Sequence, residues 1–162
     1  MVIITAPNYE KLEGSVVFLA GPIQGAEDWQ EKAIELISKQ NPVLNIASPR
    51  GNYSNRSFDY NTQVDWETNY LNEAAKTGAI FFWLAKEKEH ICDRAFAQTT
   101  RFELSEWVTK YGQDKKLNLS IGIEPGFSGE RYIRKRIDQD YPEIKIYSTL
   151  EDVCEDVCQK LK

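Results

Sequence analysis

The sequence is poor in positive charge, histidine and cysteine, and it has no long apolar run. No stretch of about 18 apolar residues occurs, so nothing in it reads as a membrane-spanning helix. Lys and Arg number 20 against 25 Asp and Glu, a formal net charge of −5. A surface for nucleic-acid polymers or anionic membranes needs the opposite imbalance. A small anionic ligand stays open, because a few arginines in one pocket suffice to hold it. The single histidine, His90, sits in a loop as expected of a solvated residue, and with no Cys/His cluster there is no basis for a metal site. The cysteines, Cys92, Cys154 and Cys158, are odd in number. The last two stand four apart on an expected terminal helix, on one face but badly placed for a disulfide. They read as partly buried thiols in a reducing compartment. Met1 to Gly14 lacks a basic region followed by an apolar stretch, so no signal peptide is read and the cytoplasm is expected.

What is present fits one domain over residues 1–162, with 1–14 as an N-terminal extension. Strand and helix patterns alternate five times. Ser15–Ala20, Val43–Ser48, Ala79–Ala85, Leu119–Ile123 and Ile144–Tyr147 read as strands, and Ala79–Ala85 is the most apolar and should lie centrally. Helical spacing follows the first strand at Ala33, Ile34 and Ile37, with Asp28 as N-cap. It returns over Thr62–Lys76 with Gly78 as the cap region, over Thr100–Tyr111 with Gly112 as C-cap, from Ser128 to about Asp138, and over Leu150–Leu161. The polar loop from Arg50 to Asn61 is long enough to be functional. Five β–α units imply an α/β fold, a doubly wound five-stranded parallel sheet with helices on both faces. In the order 2-1-3-4-5 the ligand crevice lies between strands 1 and 3. The loops after Ala20 and after Ala85 then face each other across it.

Several residues are candidates for chemistry there. Leu104, Trp107, Val108 and Tyr111 form an apolar stripe, and Glu103 lies at its edge in the expected first turn of its helix. Two readings of Glu103 stand side by side: a catalytic carboxylate, or the second half of a Thr100-x-x-Glu103 capping box. Glu67 shares its face with Leu71, Ala74 and Ala75, which turns it toward the protein. A carboxyl so placed resists ionisation, as a general acid must; the alternative is a carboxylate at the positive end of its helix. Asp65 replaces it if the helix phase differs. Gly21-Pro22-Ile23-Gln24-Gly25 is either a tight turn or a close backbone approach to a ligand, with Gln24 able to donate and accept. Arg50, Arg94 and Arg101 fall in loops at the expected carboxyl ends, as anion ligands or as scattered surface charge, and Thr100 opens the helix beside them. Glu124 to Gly129 is a glycine-rich loop placed to frame a pocket, and the basic run Arg131–Arg136 reads as a solvated helix face.

The segment Phe18-Leu19-Ala20-Gly21-Pro22-Ile23-Gln24-Gly25 resembles the opening strand and loop of the nucleoside 2-deoxyribosyltransferase family. Val64-Asp65-Trp66-Glu67, then Leu71, then Ile80-Phe81-Phe82-Trp83 are similar to the middle of its divergent branch. Phe102-Glu103-Leu104-Ser105-Glu106-Trp107 resembles the segment that carries that branch's nucleophilic glutamate. The resemblance spans roughly residues 15 to 150 and implies a flavodoxin-like fold and a retaining transfer of a (2-deoxy)ribosyl group between nucleobases. Glu103 is then the nucleophile, Glu67 or Asp65 the acid, and Gly21, Pro22 and Gln24 the lining of the sugar and base pocket. The implied partners are a small nucleoside or nucleotide and a free nucleobase, within a homo-oligomer and without a cofactor. An N-glycosidase using water is the neighbouring expectation, and a 5′-phosphate substrate would draw on Arg50, Arg94 and Arg101. A non-catalytic nucleotide-binding or interaction module on the same fold is the third.

Overall fold

The computed structural model describes residues 1–51, 59–91, 93 and 95–162. Cys92, Arg94 and the middle of the loop expected from Arg50 to Asn61 lie outside the described residues. The chain runs β1 (Ile3–Thr5), β2 (Val16–Ala20), α1 (Trp29–Gln40), β3 (Asn45–Ser48), α2 (Tyr60–Thr77), β4 (Ala79–Leu84), α3 (Gln98–Gln113), β5 (Leu119–Ile123), α4 (Glu130–Asp140), β6 (Ile146–Tyr147) and α5 (Leu150–Lys160). All pairings are parallel, in the order β1-β3-β2-β4-β5-β6. Without β1 this is the expected 2-1-3-4-5.

The sixth strand corrects the expected count. Ile3–Thr5 pairs with Ile46–Ser48 at the sheet edge, and the Asn45 side chain accepts from Val2 N at 2.8 Å. The extension is laced further to α2. Trp66 Nε1 donates to the Asn8 carbonyl at 2.6 Å, and the Tyr70 hydroxyl exchanges hydrogen bonds with the backbone of Glu10.

Strands that read as unbroken apolar runs split their residues between two cores by period-two alternation. Phe18, Ala20, Ile80, Phe82 and Leu84 face α2, α3 and α4, packing on Trp66, Tyr70, Leu104 and Trp107. Val17, Leu19, Phe81 and Trp83 face α1 and α5, packing on Trp29, Ile37, Val153 and Cys154. The connections therefore change face between β2 and β4, which opens the crevice at their carboxyl ends.

Asp28 caps α1, accepting from Glu31 N at 3.1 Å, and Gly78 closes α2. The expected cap at Gly112 is displaced: α3 runs on to Gln113 and ends at Asp114. Gly112 is instead a point of close packing, because a Cβ there would run into the Tyr141 ring. Among the described residues no helix is long and apolar enough to cross a membrane.

Candidate active site

A cavity of about 370 Å³ opens at the carboxyl ends of β2, β3 and β4. Its walls are the turn Gly21–Gly25, the start of the loop after β3 at Pro49 and Arg50, the first two turns of α2, and the segment leading into α3. The volume lies in the range of small-molecule pockets, about 300–1,000 Å³. The loops after β2 and β4 are fastened across the mouth. Gly25, at φ +77°, offers its carbonyl to both Lys88 N (2.7 Å) and Glu89 N (3.1 Å), and Lys88 pairs with Glu27.

Glu103 lines this cavity, but from the second turn of its helix rather than the first. The helix starts at Gln98 because Ala97 adopts a left-handed conformation (φ 54°) and turns the chain without any side-chain cap. A non-glycine residue there costs about 1 kcal/mol. Thr100 is thus the third helical residue, only 3% exposed and itself in the cavity wall. The Thr100-x-x-Glu103 capping box does not form. Among the described residues, no hydrogen bond or ion pair reaches the Glu103 carboxyl. Burial first, and the neighbouring charges of Glu67 and Glu106 after it, push this carboxyl up to about 8.

Glu67 also lines the cavity, half-buried on the α2 face that carries Leu71 and Ala74. Burial raises its carboxyl, and a hydrogen bond from Gln63 Nε2 to its Oε1 (2.7 Å) pulls partly the other way. The same Gln63 nitrogen donates to the Pro49 carbonyl at 3.0 Å. Asp65, the alternative acid, is exposed and does not reach the cavity. Gly21, Pro22 and Gln24 line it as the sequence implies, while Gln63, Tyr60, Val64 and Phe96 were not foreseen. Gln63 was legible in principle, since it stands one turn before Glu67 on the same helical face.

Of the three expected anion ligands, the two described, Arg50 and Arg101, are engaged with the protein. Arg50 lines the cavity, but its fork is spent on the turn after β2. Nε meets Gln30 Oε1 (3.0 Å) and Asp28 Oδ1 (3.1 Å), and Nη2 donates to the carbonyls of Ile23 (3.3 Å) and Glu27 (3.1 Å). Arg101 points away from the cavity, donating to Ser128 O at 2.7 Å with its guanidinium 4.4 Å from the Phe127 ring centroid. The Glu124–Gly129 loop does not line the cavity either; it supports the wall through Phe127, which packs on Phe96. Arg134, in the basic run, is tied to the carbonyls of Ile123, Ile146 and Tyr147 rather than solvated.

Because Arg50 organises a loop through a planar fork, lysine cannot replace it. Arg50→Lys is expected to raise KM about tenfold with a smaller change in kcat, each lost charged hydrogen bond being worth about 1.5 kcal/mol or more. A steady-state substrate titration checks this; an unchanged KM would show that the turn holds without the fork.

Fold and site define an α/β domain with a switch-point pocket built around two half-buried carboxyls. The chain belongs to the nucleoside 2-deoxyribosyltransferase-like family, whose model matches residues 14–118 and whose fold is of the flavodoxin-like type. The chain is also similar to a solved structure described as a conserved protein from Enterococcus faecalis V583. The TM-score is 0.52 at 11% identity, covering 92% of this chain and 100% of that one, a likeness of fold alone. No curated protein matches the sequence significantly.

Proposed function

We propose that the protein transfers a (2-deoxy)ribosyl group between nucleobases through a covalent glycosyl–Glu103 intermediate. The Glu103 carboxylate attacks the anomeric carbon and forms an ester. The C1′–N bond breaks, its electron pair stays on the base, and Glu67 supplies the proton that neutralises the leaving nitrogen. A second base then attacks C1′, returns a proton to Glu67 and frees Glu103. The observation that carries this reading is Glu103 itself: a carboxyl in a cavity wall, half-buried, serving no helix cap and accepting no hydrogen bond among the described residues. Its neighbour Glu67 supplies the second carboxyl that a retaining mechanism requires.

Among the described residues a nucleoside fits better than a nucleotide, since Arg50 and Arg101 are both engaged with protein oxygens. Incubation with each 2′-deoxynucleoside, with and without a different free base, tests the proposal. Exchanged nucleoside is the expected product. Free sugar without exchange would make the protein an N-glycosidase, and no turnover by folded protein would leave a binding module.

The two carboxyls also set the pH profile. The pair holds one proton up to about pH 8, mainly on Glu103; the working form is the minor arrangement with that proton on Glu67 and the charge on Glu103. Activity falls when the pair takes up a second proton and when it loses its one proton, near about 8. The expected kcat/KM profile is a bell whose alkaline limb lies near pH 8. In Glu67→Gln the like charge beside Glu103 is gone, so Glu103 ionises at lower pH. A profile that keeps rising well above pH 9 in the wild type would contradict the assignment.

A further inference from the structure

We infer that Gln63 is a positioning residue for the acid: its amide fixes which oxygen of Glu67 carries the proton. This rests on the reading of Glu67 as proton donor to the leaving base. Gln63 is 8% exposed and stands one turn before Glu67 on α2. Its Nε2 donates to two oxygens, the Pro49 carbonyl at 3.0 Å and Glu67 Oε1 at 2.7 Å. An amide nitrogen only donates, and a backbone carbonyl only accepts. Turning the amide over would set its oxygen against the Pro49 oxygen, so Pro49 decides which end of Gln63 faces Glu67.

That end can meet only an acceptor. A neutral carboxylic acid has one oxygen that carries hydrogen and one that does not. The bare oxygen is the stronger acceptor, so the amide favours a bare Oε1 and the proton on Oε2. Among the described residues no hydrogen bond reaches Oε2, so none of them competes with a base for the proton. Pro49 follows β3 directly, so the proton's position is referred to the sheet rather than only to the helix that bears Glu67. Without the amide, the proton can sit on either oxygen and the carboxyl can turn.

Two substrates that share a sugar separate this role from a merely structural one. The first is the best 2′-deoxynucleoside of the panel above, whose base needs a proton to leave. The second is p-nitrophenyl 2-deoxyribofuranoside, whose phenolate leaves without one. Gln63→Met removes the donor at nearly constant volume. It is expected to lower kcat/KM on the nucleoside by about 10- to 100-fold and on the aryl glycoside by less than about threefold, within the usual worth of a general acid. Equal losses on both substrates would overturn the assignment of Gln63 and leave the glycosyl-transfer reading standing. Turnover of neither substrate by the wild-type protein would overturn both. Gln63→Glu gives an independent readout. A second carboxyl beside Glu67 holds its proton to higher pH, so the alkaline limb on the nucleoside moves upward. An unmoved limb in a folded, active variant would also reject the role.

Discussion

Glu103→Gln is expected to abolish base exchange and at the same time to make the protein more stable. Glutamine has nearly the same shape but cannot form the glycosyl ester, so kcat/KM should fall by about a thousandfold or more. The stability gain follows from linkage. The folded state holds the Glu103 proton up to about pH 8, whereas an ordinary glutamate releases it near 4.5. A carboxyl raised in this way contributes its full stability below about pH 4.5 and loses it progressively as the pH climbs through 8. Glutamine has no proton to lose, so the variant escapes that loss. With partial exposure and the coupling to Glu67 discounted, the gain above pH 8 is about 2 kcal/mol, or about 5 °C in Tm. Thermal melts at pH 5 and pH 8.5 check the sign: the two proteins should differ little at the lower pH and clearly at the higher. A variant less stable than the wild type at pH 8.5 would mean that the carboxylate is paired in the folded protein.

Residues whose partners are close in sequence were the legible ones. The five main strands are legible as short apolar-rich runs bounded by turn residues, most clearly β2 and β4, which are apolar on both faces. Their order followed from the alternation of strand and helix. Glu67 was found because Leu71 and Ala74, one and two turns on, fix which way its helix face points, and the same phase puts Asp65 in solvent. The start of α3 is not legible in the sequence because its signal is backbone conformation. Ala97 carries no capping side chain, so Thr100 two residues into the helix looked like the first residue with a reason to begin one. Arg50 looks like an anion ligand because two of its four acceptors are backbone carbonyls of a loop more than twenty residues earlier, which leave no mark on side-chain pattern. β1 escaped because three edge residues give too short a period to read.

Gly21→Ala should cost both stability and activity, and the reason lies in what surrounds one hydrogen atom. Gly21 is the first residue after β2 and part of the cavity wall. A Cβ at this position would collide with the Trp83 carbonyl oxygen and with the Trp29 ring. The carbonyl belongs to β4, which is paired on both sides, by β2 and β5. The ring is held by Trp29 Nε1, which donates to the Pro22 carbonyl at 2.9 Å. The ring cannot give way without breaking its buried hydrogen bond, and the carbonyl cannot move without bending β4, so the displacement falls on the Gly21–Gly25 turn itself. Overpacking of this kind costs about 3 kcal/mol, or about 10 °C in Tm. A shift of about 1 Å in a substrate-positioning turn lowers kcat/KM by about 100-fold. Gly14→Ala is the matched control, because Gly14 has a positive φ (87°) but open space around its Cβ position. That variant should lose about 1 kcal/mol and keep its activity. If Gly21→Ala melts lower but exchanges bases at the normal rate, the turn after β2 is part of the fold and not of the site.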